Sequence, residues 1–305
     1  MKNIVVILLI IVTSITFGQD PSFSQSANNL TYVNPAFTGT SENFRANFSY
    51  RNQWPGISGT FITTNVSVDQ SVGKFGGVGI TYIHDLAGDI FITDNIYLDY
   101  AYQCDIGEKS VLSFGVEVGY FQKSLDWSAL TFGDMIDARR GFVYTTANTP
   151  SGGKVSDFDL GVGVLYYNEF LFAGYALHHI NQPNQSIYGG ESRLPSLHSF
   201  YAGGMINIGD LTISPQVDIK AQGTFQTMLG IVKANYKWVT CGVGYRDQDA
   251  VIGYLGFTKE RFRVEYSYDY TISKLSSSTG GSHEVSLMLL LNTLKRSNER
   301  ALNIY

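Results

Sequence analysis

The stretch RFRVEYSYDYT, Arg261 to Thr271, decides the fold class. Phe262, Val264, Tyr266, Tyr268 and Tyr270 fall on one side of an extended chain, and Arg263, Glu265, Ser267 and Asp269 on the other. Side chains alternate across a strand, whereas a helix would scatter these residues around its cylinder. FRANFSYRN (Phe44 to Asn52) repeats the pattern, with Phe44, Ala46, Phe48 and Tyr50 opposite Arg45, Asn47, Ser49 and Arg51. NIYLDYAYQ (Asn95 to Gln103) and SVLSFGVEVGY (Ser110 to Tyr120) do the same. These runs extend for about 9–12 residues, where a strand of a soluble protein usually has about 5–6. A tilted strand crossing a bilayer needs about 9–11.

Extended along the chain, this reading predicts fourteen strands. They cover 43–52, 60–69, 75–84, 91–103, 110–122, 156–167, 169–179, 196–208, 211–220, 225–235, 237–247, 250–258, 261–272 and 282–292. The links alternate in length. Those after even-numbered strands are short. Those after odd-numbered strands are mostly longer, with 53–59, 84–90, 123–156, 178–195 and 273–281 against a short 247–249. Outer-membrane barrels have short periplasmic turns and longer outer loops. The expectation is an all-β, transmembrane antiparallel barrel of the outer-membrane type with about 14 strands, both ends in the periplasm.

Composition agrees. Of 305 residues only 15% are charged, with 20 Tyr, 19 Phe and 32 Gly; an ordinary soluble domain has roughly 25% charged residues. The formal net charge of −5 excludes the basic stripe of a nucleic-acid binder. Lys2 followed by the apolar run Ile4–Val12 and the small residues up to Gly18 reads as a secretory leader, 1–18, cut before Gln19. Residues 19–42, polar and carrying Asn34-Pro35, are expected beneath the barrel or inside it. The barrel spans 43–292, and 293–305 forms a short periplasmic tail. Cys104 and Cys241 match no metal spacing, and export leaves a disulfide between them open.

Ordered motifs add a resemblance. QDPSFSQ (Gln19 to Gln25), NPAFTG (Asn34 to Gly39), YRNQWPGI (Tyr50 to Ile57), HHINQP (His178 to Pro183), RLP (Arg193 to Pro195), GYRDQDA (Gly244 to Ala250) and YSYDYTISKLSSSTGGSHEVSL (Tyr266 to Leu287) follow one another. Together they resemble the PorP/SprF family of type IX secretion system membrane proteins. That resemblance implies a non-enzymatic outer-membrane barrel that supports secretion or surface attachment of a large partner protein, in some cases a gliding adhesin. The implied partners are a secreted protein with a type IX sorting domain, other components of that system and outer-membrane lipid.

Candidate partner-binding residues lie in the outer links: Arg51, Asn52, Gln53, Trp54 and Pro55 in the first, and Trp127, Arg139 and Arg140 in the longest. Trp is a frequent interface anchor; the same loop can instead fold over the barrel mouth and bury Trp54. The long loop 123–156 can constrict the lumen or form a docking surface. Arg45, Arg246, Arg263, Asp269 and Glu284 are expected to form a lumenal polar network, since charge belongs inside such a barrel. Asp269, His283 and Glu284 suggest hydrolysis, but no G-x-S-x-G element supplies a nucleophile, so no catalytic residue and no cofactor is assigned. His178 and His179 should point to opposite faces of a strand and therefore not share a metal. Glycines at 77, 79, 161, 163, 242 and 244 sit within strands, where they leave room inside. A diffusion channel or solute transporter is the alternative function.

Overall fold

A computed structural model describes residues 19–41, 43–137, 139–142, 144–146, 153–187, 189–274, 276–291 and 302. The leader 1–18 and all of the tail 293–305 except residue 302 lie outside the described residues. The strands are β1 (Phe44–Gln53), β2 (Phe61–Ser71), β3 (Gly77–Ala87), β4 (Phe91–Asp105), β5 (Val111–Leu125), β6 (Lys154–Tyr167) and β7 (Leu171–His178). They continue as β8 (Leu197–Gly204, then Ile206–Ile208), β9 (Leu211–Gln222), β10 (Phe225–Tyr236), β11 (Val239–Arg246), β12 (Ala250–Lys259), β13 (Phe262–Thr271) and β14 (Ser282–Leu291). The two parts of β8 flank Met205 and both pair with β9, so they count as one strand.

Every strand pairs antiparallel with two neighbours. β1 pairs with β2 and β14, and β8 with β7 and β9, which closes the sheet into a fourteen-stranded ring with no free edge. Closure satisfies every ladder hydrogen bond internally, as crossing hydrocarbon demands. No described helix is long and apolar enough to cross a membrane.

The burial pattern is inverted relative to a soluble protein. In β13, Phe262 and Tyr270 are 64% and 61% exposed, while Glu265 and Asp269 are 0% and 1% exposed. Apolar side chains face outward to lipid, and charges face the enclosed interior, where they do not incur the cost of facing lipid. Cys104 and Cys241 are free thiols, half-buried and exposed respectively.

The links at one end are 72–76, 106–110, 168–170, 209–210, 237–238 and 260–261; those at the other include 54–60, 126–153, 179–196 and 272–281. The long-link end is the outer mouth by the loop-length rule. The expected link 84–90 is in fact a tight turn. β3 and β4 remain paired up to Ala87 and Phe91, and Gly88 and Asp89 take φ of 66° and 62°. Two successive left-handed residues make the hairpin turn that matches strand twist. The loop 126–153 carries its own small hairpin, Ile136–Asp137 with Gly141–Phe142.

Residues 19–41 run inside the ring as a strap. It consists of a 3-10 turn at Ser26–Asn28, one α turn at Leu30–Val33 and a 3-10 turn at Pro35–Phe37. Asn34 starts the last of these, accepting from Ala36 N at 2.8 Å with Pro35 at the first helical position.

Candidate functional site

Along the lower half of the strap, toward the short-turn mouth, the side-chain packing is mainly apolar, while wall groups bond to the strap backbone, Ser113 to Ala36 O at 2.8 Å among them. Leu30, Val33, Ala36 and Phe37 pack with Val111, Leu165, Tyr167, Phe172 and Tyr201 of the wall and with Leu302. The Phe37 ring meets Phe172 and Tyr201 edge-on at 5.8 and 6.0 Å. Wall glycines let the backbone pass. A Cβ on Gly115 would overlap the Ala36 backbone, and one on Gly163 the Asn34 side chain. Leu302 N donates to Thr40 O at 3.0 Å.

Along the upper half, contacts are polar and charged. Arg51 donates to Asp269 at 2.8 Å and to Glu284 at 3.1 Å. Arg246 donates to the same Asp269 oxygen at 3.0 Å and to Asp249 at 3.1 Å. Ser24 of the strap closes this cluster. Its hydroxyl donates to Asp269 at 2.7 Å and accepts from Arg51 at 2.8 Å and Arg246 at 2.6 Å. Its N–H donates to Glu284 at 2.7 Å, and its carbonyl accepts from Tyr254 at 2.8 Å. Gln25 adds bonds to Ser267 and to the Glu284 carbonyl, both at 3.0 Å. Charge-assisted bonds of this kind are about twice as strong as neutral ones.

The other lumenal charges stand apart from this cluster. Arg45 forks onto Asp69 at 2.7 and 2.8 Å and reaches Phe37 O at 3.1 Å. Arg263 lies 4.0 Å from Glu265, whose main cation is Lys233 at 2.5 Å. The five residues expected as one network thus fall into three groups.

His179 tops the strap's anchorage. Its Nδ1 meets Asp159 at 2.6 Å and its Nε2 meets Asp20 at 2.5 Å. Burial alone would push this imidazole down, but the two carboxylates outweigh it and hold His179 well above its ordinary range. The imidazolium in turn outweighs the burial of Asp20 and holds that carboxyl below the usual range. The expectation that His178 and His179 face opposite ways fails. His179 takes φ of 55°, just beyond β7, so both rings turn inward with centroids 6.3 Å apart. His178 binds Glu117 at 3.1 Å. No metal cluster occurs among the described residues.

Arg51 is buried in the lumen and is not part of an outer surface, because it occupies an inward register position of β1. Asn52 accepts from Thr60 at 2.7 Å. Trp54, at φ 60°, is half-buried against Phe61, while Pro55 is exposed. Trp54 N and Gly56 N donate to Gly281 O and Thr279 O, tying the first loop to the last. Trp127 stacks on Phe132 at 6.5 Å, and Arg139 and Arg140 are exposed. Asp269 and Glu284 are engaged by Arg51, while His283 lies on the other face and meets Tyr266 at 2.8 Å, so the three do not converge.

Above the strap, at the outer mouth, lies a cavity of about 610 Å³ floored by Gln19–Ser22. Its wall includes Gln53, Trp54, Phe61, Asp85, Phe91 and Lys123. The first described residue of the strap therefore sits at the outer mouth, not beneath the barrel.

The sequence profile of the type IX secretion system membrane protein PorP/SprF matches residues 15–289. The chain belongs to the PorP/SprF family. This PorP/SprF chain is an outer-membrane protein spanning the bilayer with β-strands, from a family of secretion components. No curated protein matches it. Among solved structures it is similar to the Ralstonia pickettii toluene transporter TbuX, at TM-score 0.49 and 9% identity over 87% of this chain and 93% of that one. It is also similar to the P. putida toluene transporter TodX, at 0.48 and 9% over 86% and 93%. For the KdgM porin the values are 0.40 and 7%, over 80% and 98%.

Proposed function

We propose that this PorP/SprF chain is a non-enzymatic anchor that holds a type IX-secreted surface protein, of the adhesin or gliding type, at the outer membrane. The observation that carries the reading is a family barrel whose interior is taken up by its own strap. That leaves the outer loops and the shallow outer cavity as the surfaces through which it can act on an external protein. A diffusion channel lacks this support, because wall glycines and strap backbone touch across the lower lumen.

The test replaces loops 54–60 and 126–153 in turn by short turns and follows the secreted proteins that carry a type IX sorting domain, on cells and in the medium. Loss from the cell surface with at least one replacement, while the barrel remains in the membrane, is the expected result. Full surface retention in cells lacking the whole chain ends the reading.

A further inference from the structure

We infer that the lipid-facing side of the barrel holds phosphate groups of outer-leaflet lipids through two imidazoles, His283 at the outer end of β13–β14 and His198 at the outer end of β7–β8. This goes beyond the anchor reading and stands or falls apart from it, since it concerns the lipid around the barrel and not the secreted protein.

Height identifies the occupant. His283 is the second residue of β14 and His198 the second of β8, each counted from the long-link end. β13 and β14 have ten residues each, about what a tilted strand needs to cross hydrocarbon. Below His283 the outward positions of β14 are Val285, Leu287, Leu289 and Leu291, all apolar. An outward imidazole one residue from such an end lies where hydrocarbon gives way to headgroups. The molecule it meets there is a lipid headgroup.

Hydrogen bonding identifies the headgroup chemistry. The Tyr266 hydroxyl meets His283 Nδ1 at 2.8 Å, and the Tyr175 hydroxyl meets His198 Nδ1 at 2.7 Å. A hydroxyl that donates to Nδ1 leaves the ring proton on Nε2. Neither Nε2 has a partner among the described residues. Asn52 stands directly across from His283 on β1, and its carbonyl accepts from Thr60 at 2.7 Å, so its amide Nδ2 is a second donor beside the imidazole. Phosphate oxygens accept hydrogen bonds and give none. They also meet no repulsion, because the outward positions of β13, β14, β1, β7 and β8 carry no carboxylate. The Tyr268 ring, 5.1 Å from that of His283, adds an amphipathic wall suited to the interface.

The third outward histidine provides the contrast. His84, near the outer end of β3, has its Nδ1 at 2.8 Å from the Asp94 carboxylate, which also accepts from Tyr82 at 2.7 Å. That site brings its own negative charge to the lipid face and repels a second anion. Phosphate therefore belongs at His283 and His198 and not at His84.

The experiment titrates the full chain, stripped of lipid in dodecylmaltoside micelles, with lipid A and with lipid A freed of its phosphates, and reads bound lipid by native mass spectrometry. Intact lipid A should bind about tenfold more tightly than the dephosphorylated form, roughly the worth of one hydrogen bond to a charged group. His283→Phe with His198→Phe should abolish that preference. Tyr266→Phe, which removes one oxygen, should reduce it. His84→Phe should leave it unchanged. Heat-modified gel mobility confirms that each variant is folded. Equal binding of the two lipids, no binding of lipid A, an undiminished preference in the folded double variant, or an equal loss with His84→Phe overturns the inference.

Discussion

The two halves of the strap are held by opposite chemistries. From Leu30 to Phe37 the chain is embedded in apolar side chains and slides past wall glycines. From Asp20 to Asn29 it is held by carboxylates, guanidinium groups and an imidazole. Apolar burial is non-directional and insensitive to pH or salt over ordinary ranges. A buried charge cluster is directional, and loses much when any one partner is removed. The lower half is therefore the permanent seat of the strap, and the upper half the part that solution conditions or a binding partner can reach.

The largest effect should come from Gly163→Leu, whose side chain would occupy the place of the Asn34 side chain. It should unseat the lower strap. A steady current in planar bilayers, beyond any that the parent chain shows, is the readout, and an unchanged current would contradict a seat built on close approach. Arg51→Ala comes next. It leaves Asp269 and Glu284 short of a cation, and loss of one buried partner costs about 3–5 kcal/mol. Thermal unfolding in detergent should fall sharply, while Phe37→Ala, a cavity in the lower half, should cost a similar amount but be indifferent to salt.

Ser24→Ala removes one hydroxyl from the cluster and should cost about 1–3 kcal/mol. Limited proteolysis should then nick the strap above Asn29 and not below. The smallest effect concerns pH. Because His179 is raised in the folded chain, its contribution is complete below about pH 6.5, the unfolded imidazole value, and is lost as pH rises through the folded value. Asp20 is lowered, so its contribution is present above about pH 3.9 and is lost as pH falls through the folded value. Unfolding temperature should thus decline at the alkaline end in the parent, and His179→Gln should flatten that decline.

The barrel was legible in the sequence because alternation over long runs, as in Arg261–Thr271, has no helical counterpart and repeats around the whole ring. Where the reading slipped, a local backbone event overrode the period. The turn at Gly88-Asp89 let β3 and β4 extend past the expected link, and its Gly-Asp pair was the available signal. The left-handed His179 brought two imidazoles to one side, and nothing in the residue pair announces that turn. The strap's contacts were not legible at all. Its helical turns are too short to carry periodicity, and Ser24 is an ordinary serine until Asp269, Glu284, Arg51 and Arg246 converge on it from β13, β14, β1 and β11. The inward placement of Arg45, Arg246, Arg263, Asp269 and Glu284 followed from parity, but their division into three groups follows from height along the strands and cross-strand register, which parity does not encode: Arg45 stands opposite Leu290 and Arg51 opposite Glu284.

The path of the strap constrains how the protein is made. Gln19 lies at the outer mouth and Ser41 at the other, directly before β1, which zips to both β2 and β14. A strap joined to the ring only through β1 can be enclosed as the last seam zips or drawn in from the short-turn mouth afterwards, and either route must bury the Ser24–Asp269–Glu284 contacts before the molecule is complete. Weakening the strap's seat should therefore yield barrels shut without their contents, and the filling of the lumen becomes part of what the amino-terminal residues specify.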